Sequence, residues 1–313
     1  MKNNMKKILA IILLSIVSCK IYSQQDPMFT HYMMNTLGVN PAYAGSRQAL
    51  TFTGLHRSQW VGFDGAPETQ TFTLHSPVFS EKIGVGLSVI NDVIGPIKTS
   101  SFYADFAYHL KIDEKSKLSL GIKGGGSIFN NGLSELTTVQ QSDVSFSQNI
   151  QSKFLPNVGF GAYYYRERFY AGVSVPRLIE NKFLSDNSVA NVNLFWEKRH
   201  YFFIMGYMMN ISENLQFKPT TLVKVNMGSP VQADLTAQFI YNSKFSLGAM
   251  YKTGSAFGAL LGFQPNDQLY LGYSFDWSTL NRTGRYNSGT HEVILRYDFI
   301  YRDKQKIKSP RYF

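Results

Sequence analysis

The sequence predicts an all-β protein, a transmembrane antiparallel outer-membrane β-barrel of about 14 strands. Three observations carry that prediction. Apolar residues alternate with small or polar ones at a period of two through almost everything after residue 48. Many candidate strands reach nine to twelve residues, beyond the mode of about five or six in soluble sheets and close to the roughly 9–11 that a tilted strand needs to cross a bilayer. Short and long connections alternate along the chain, as a barrel with turns at one end and loops at the other requires. A soluble sandwich has less need for so many long strands with outward aromatics, and no repeat of about 40 residues points to a propeller. Composition agrees: aromatics reach 15% and charged residues only 17%, against about 25% charged in a typical soluble chain. Mean hydropathy is slightly negative, which argues against a bundle of transmembrane helices.

The elements follow in order. Residues 1–23 read as a secretory signal, with Lys2, Lys6 and Lys7 ahead of the apolar run Ile8 to Val17 and a small residue, Ser23, before Gln24. That run is shorter than the roughly 20 residues of a membrane-spanning helix. An alternative stays open: Ile16-Val17-Ser18-Cys19 loosely matches a lipoprotein cleavage box, although Lys20 is unusual as the next residue. Residues 24–48 are expected to form an N-terminal periplasmic or lumenal segment, 49–301 the barrel, and 302–313 a basic C-terminal periplasmic tail, which puts both termini in the periplasm. Strands are expected near 49–58, 69–77, 82–90, 99–110, 117–128, 155–165, 168–176, 200–211, 214–226, 231–242, 244–252, 256–264, 268–278 and 289–300.

Within them the faces separate cleanly. Phe102, Phe106, Tyr108 and Leu110 oppose Tyr103, Asp105, Ala107 and His109, and Leu269, Leu271, Tyr273, Phe275 and Trp277 oppose Tyr270, Gly272, Ser274 and Asp276. Asp105, Asp234, Asp276, Glu292, Arg296 and Asp298 fall on the face expected to line the lumen. Every second connection, from Pro77 to Lys82 through Asp113-Glu114-Lys115 to Pro265-Asn266-Asp267, is short and carries turn chemistry or charge. The intervening connections include the long ones, roughly 129–154, 177–199 and 279–288.

Net charge is +10, but removing the signal leaves +6, and the tail RDKQKIKSPRYF holds +4 of that, so the body carries +2. A nucleic-acid-binding domain would spread Lys and Arg over a folded face, so nucleic acid is not an expected partner. The basic tail is a candidate contact for an acidic partner or lipid head groups, with a solvated tail as the plainer reading.

No reactive signature stands out. There is no phosphate loop, and Gly272-Tyr273-Ser274-Phe275 ends in Asp276 where a nucleophile elbow needs Gly. His291-Glu292 begins like a zinc motif, yet Leu295 stands where the second His belongs. The six His residues are scattered singly; a lone His in a barrel wall reads as a hydrogen-bonding lumen residue. The sequence therefore predicts a protein that is not an enzyme and takes no cofactor or metal.

Two segments are more specific than a generic porin. Residues 24–45 read QQDPMFTHYMMNTLGVNPAYAG and contain Asn40-Pro41-Ala42-Tyr43-Ala44-Gly45. The chain closes with Gly289-Thr290-His291-Glu292 ahead of the last strand and ends in Ser309-Pro310-Arg311-Tyr312-Phe313. In these features it resembles the PorP/SprF family of the type IX secretion system. The resemblance implies an outer-membrane barrel that assists secretion or cell-surface attachment of a partner through protein–protein contacts. The implied partners are type IX secretion components or a surface adhesin with a C-terminal sorting domain, with outer-membrane lipid around the wall. It also makes Asn40, Pro41, Tyr43, Gly45, His291, Glu292, Pro310, Arg311, Tyr312 and Phe313 the candidate partner-contact or anchoring residues. A structural reading of Asn40 to Gly45 competes, in which the string only turns the chain into the first strand. A small-solute channel is the alternative function.

Overall fold

The computed structural model describes residues 28–78, 81–132, 150–184, 193–227, 229–278 and 287–300. Period-two alternation does become strand. The chain forms β1 (Leu50–Ser58), β2 (Glu68–Val78), β3 (Ile83–Ile94), β4 (Ile97–Lys111), β5 (Ser116–Asn131), β6 (Ile150–Arg166) and β7 (Phe169–Val175). A small hairpin, β8 (Lys182–Leu184) with β9 (Asn193–Trp196), lies in the following connection and has no counterpart in the expected strands. The wall then resumes with β10 (His200–Tyr207), β11 (Met209–Asn210), β12 (Leu215–Asn226), β13 (Gln232–Tyr241), β14 (Phe245–Lys252), β15 (Ala256–Phe263), β16 (Leu269–Ser278) and β17 (Thr290–Phe299).

Neighbouring strands pair antiparallel all the way round. β1 pairs with β17, from Leu50↔Phe299 to Ser58↔His291, and β10 pairs with both β7 and β12. The wall is thus a closed barrel of 14 strands, counting β10 and β11 as one strand interrupted at Met208. The interruption falls beside Pro219, which has no N–H to give a ladder. The Met208 N–H donates instead to the Arg168 carbonyl, at 2.8 Å. Closure leaves no unpaired edge, the condition for a sheet in lipid.

Antiparallel order puts the short connections, 112–115, 167–168, 211–214, 242–244 and 264–268, at one rim. The opposite, long-loop rim carries 59–67, 95–96, 176–181, 197–199, 253–255 and 287–289. Outward positions are apolar and exposed, among them Leu87, Phe102, Phe106, Ile122, Phe160, Leu235 and Leu247. In water such a continuous apolar surface would associate; here it is the lipid-facing band. Near the short-turn rim it ends in aromatics: Tyr164, Phe169 and Tyr207 follow one another at 6.1 and 6.5 Å, and Phe245 stacks on Phe263 at 5.0 Å. Asp105, Asp234, Asp276, Glu292, Arg296 and Asp298 all point inward and are buried, as their alternation predicts.

Candidate functional site

The inside of the barrel is occupied by the chain's own segment ahead of β1. Residues 28–49 lack a strand period and form turns, including two 3-10 turns at Thr36–Gly38 and Pro41–Tyr43. The segment starts beside wall residues near the long-loop rim, descends the lumen, and turns into β1 at the short-turn rim.

At its head a buried ionic cluster holds it. Glu292 accepts from the backbone N–H of Thr30 (2.9 Å) and of His31 (2.7 Å), and its Oε1 lies 2.8 Å from His31 Nδ1. Arg57 Nη1 donates to the same carboxylate and to Thr30 Oγ1, both at 2.9 Å. Arg57 Nη2 reaches Asp276 at 2.9 Å, and Asp276 also accepts from Thr30 Oγ1 (2.7 Å) and from Lys252 (3.3 Å). β1, β16 and β17 are adjacent in the wall, and inward positions at matching height bring these charges together. Such charges are tolerable out of water only because each is paired and hydrogen-bonded.

Lower down, the Tyr32 hydroxyl meets Thr220 Oγ1 at 3.0 Å and Thr236 Oγ1 at 3.3 Å. Burial raises the Tyr32 phenol above its ordinary range, so it stays a neutral hydroxyl. Thr73 Oγ1 donates to Asn35 Oδ1 at 3.0 Å, and Ser174 Oγ donates to the Val39 carbonyl at 2.6 Å. Between these polar ties lies a true hydrophobic core. Tyr32, Met33, Leu37 and Tyr43 from the segment pack with Tyr163, Tyr170, Phe202, Ile204, Leu222 and Ile294 from the wall.

The Asn40-to-Gly45 string forms the foot. Asn40 caps the second 3-10 turn, its Oδ1 accepting from the Ala42 N–H at 3.0 Å, with Pro41 at the first helical position. Its Nδ2 donates to the carbonyls of Ala162 (3.1 Å) and Val173 (3.4 Å), fastening the turn to β6 and β7. Tyr43 packs edge-on against His75 and Tyr163, with ring centres at 5.3 and 5.4 Å. Gly45 has φ +72°, and a Cβ there would meet the Gly84 Cα, so conformation and space both demand glycine. Wall glycines make the matching room: a Cβ on Gly84 would run into Ala44, on Gly121 into Ala42 and Pro41, and on Gly161 into Asn40. Beneath the string, Arg47 forks onto Asp298 at 3.1 and 2.7 Å, and Thr51 donates to Asp298 at 2.7 Å. Burial opposes the charge on Arg47, but the Asp298 carboxylate beside it raises its pKa overall.

The structure therefore gathers Asn40, Pro41, Tyr43 and Gly45 at the foot and Glu292 at the head. His291 alternates to the outer face, where its Nδ1 lies 2.7 Å from the Tyr273 hydroxyl, and it takes no part in the lumen. Residues 310–313 lie outside the described residues. His31, His75, His109 and His200 are buried inside, whereas His56 is exposed. Sequence reasoning passed over Thr30, His31, Arg47 and Arg57; an arginine at an inward position of β1 was the available signal. Among the described residues no group of three or more His, Cys, Asp or Glu is placed to hold a metal ion.

A family model described as the type IX secretion system membrane protein PorP/SprF matches residues 21–297. No curated protein matches the chain significantly. Among solved structures, the Acinetobacter baumannii outer membrane protein Omp33 is 10% identical with a TM-score of 0.48, covering 81% of this chain and 100% of its own. The CymD monoaromatic hydrocarbon channel is 9% identical with a TM-score of 0.49, covering 88% and 94%. The Ralstonia pickettii toluene transporter TbuX is 10% identical with a TM-score of 0.47, covering 87% and 94%.

Proposed function

This chain belongs to the PorP/SprF family of type IX secretion system membrane proteins, and on that premise we propose that it assists the secretion or surface attachment of a partner protein through protein–protein contacts. It is an outer-membrane β-barrel. The partner in this reading is another secretion component or a surface adhesin with a C-terminal sorting domain. The filled lumen carries the proposal. A solute channel needs a wet passage, whereas this barrel packs apolar side chains between its N-terminal segment and its wall, and ties the segment's foot with a buried ion pair and its head with buried hydrogen bonds to Glu292 and Asp276. What the barrel offers is surface: its rims, its lipid-facing wall and the basic tail with residues 310–313. In the same reading the short-turn rim faces the periplasm, following the usual asymmetry of such barrels.

Deleting the gene should abolish surface display of one adhesin while bulk secretion continues, read by surface immunolabelling and by the secreted protein profile. Unchanged display in the deletion strain would sink the proposal. The full chain in planar bilayers should be electrically silent; steady conductance would favour the solute-channel alternative instead.

A further inference from the structure

The lipid-facing wall is not uniformly bulky. On adjacent strands, outward Pro219, Thr221, Ala237 and Ala249 stand together, Pro219 opposite Ala237 and Ala237 opposite Ala249. Their shortness leaves a groove of about 710 Å³ on the outer wall. Tyr251 and Phe257 bound it toward the long-loop rim, and Tyr207 and Phe169 bound it toward the short-turn rim. A groove at this depth faces hydrocarbon. Left empty it would forfeit dispersion contacts along its whole floor, and it offers water little to bind.

Its lower end meets the aromatic row Tyr164, Phe169 and Tyr207, the level at which a barrel meets lipid head groups. Directly beyond it are two exposed arginines on the β6–β7 turn: Arg166, which pairs with Phe169 in the ladder, and Arg168, the residue before Phe169. The acids around this pair are Glu167 between them, Asp113 near Arg166 with Glu114 beside it, and Glu213 on the β11–β12 turn; Glu81, which pairs with Lys117, and Asp267 lie on other turns of the same rim. An apolar groove ending at two cations at head-group level matches a molecule with a long chain and an anionic head. We propose that this groove seats one acyl chain of a glycerophospholipid from the leaflet at the short-turn rim, with its phosphate held by Arg168 and Arg166. The arginine fork suits phosphate oxygens.

The test uses the full mature chain in nanodiscs of phosphatidylethanolamine and phosphatidylglycerol, with a trace of phosphatidylethanolamine carrying a diazirine in mid-chain. Photolysis should place adducts on groove residues at about ten times the level at Leu120 and Ile122 on β5, a ratio equivalent to about 1.4 kcal/mol. Ala249→Trp, which fills the floor from the lipid side, should bring groove adducts down to that β5 level. Arg168→Glu should lower them by about the same factor, and Arg168→Lys should keep most of them. Both sites lie away from the lumen, and heat-modifiable gel mobility checks that each variant still closes. Adducts spread evenly over the wall, or an Ala249→Trp variant without effect, would overturn the site. Adducts indifferent to Arg168→Glu would overturn the phosphate contact and with it the phospholipid assignment. A protein cross-linked in the groove in native membranes, in place of lipid, would overturn it as well.

Discussion

At the scale of single residues, Glu292 is a heavily committed side chain of the lumen. One carboxylate serves two backbone N–H groups, the His31 ring and the Arg57 guanidinium. Glu292→Gln keeps the shape but removes the charge, leaving Arg57 with Asp276 as its remaining acid in the cluster. Breaking one partner of a buried ion pair costs about 3–5 kcal/mol. The variant should therefore unfold at clearly lower urea than the parent, followed by tryptophan fluorescence; a midpoint shift within error would show that the cluster contributes little. The sequence placed Glu292 on the inward face but could not pair it, because its partners Thr30 and His31 are 262 and 261 residues away in the chain. Asn40 and Pro41 were more legible. A cap residue before proline is a local device, and the structure uses it as a cap.

At the scale of elements, all fourteen expected wall strands are present, because a face that must alternate between lipid and interior writes itself into every second residue. The break at Met208 was less legible, since it follows from a proline on a neighbouring strand rather than from the local pattern. The fit of the N-terminal segment was hidden for a related reason: aperiodic residues 28–49 carry no mark of where they dock. Its imprint lies on other elements, in glycines 84, 121 and 161, which read in sequence only as a small inner face. Those glycines give a sharp test. Gly121→Val should push Ala42 and Pro41 off β5, whereas Gly124→Val is an internal control, since nothing lies within 4 Å of a Cβ there. Ser46 is buried at the foot, and Ser46→Cys is a near-isosteric reporter in a chain started at Gln24, where it is the only thiol. The thiol should resist maleimide in the parent and in Gly124→Val, and react readily in Gly121→Val. Equal protection in all three would mean that the segment does not depend on the glycine room.

At the scale of the whole molecule, the small charge of the barrel body has a structural counterpart. Several of its interior cations are matched by acids, as in Arg47–Asp298, Arg57–Glu292, Lys123–Asp105, Lys252–Asp276 and Arg177–Glu197. Many of the aromatics do face lipid, but Tyr163, Tyr165, Tyr170, Phe202 and Tyr270 turn inward, so part of the aromatic excess builds an interior core, of which the alternation places Tyr270 on the inner face. That core decides between two ways a partner protein could use the barrel: by meeting its outer surfaces, or by displacing the segment and entering the lumen. Withdrawing the segment breaks the Arg47–Asp298 ion pair at its foot and the hydrogen bonds of Thr30 and His31 to Glu292 and Asp276 at its head, while Arg57 keeps its acids within the wall. The ion pair alone costs about 3–5 kcal/mol to break, before any hydrophobic contact is counted. A partner that enters would have to supply that energy, whereas one that meets the rim or tail need not. Asn35 and Thr73 already touch, with side-chain oxygens 3.0 Å apart. An Asn35→Cys, Thr73→Cys pair, oxidised in the periplasm and checked by non-reducing gel mobility, would tie the segment to β2. Adhesin display in that strain should equal the parent's with the disulfide intact. Display that is lost on oxidation and restored by a reductant would instead place the partner inside the lumen, and the surface-contact reading would fail.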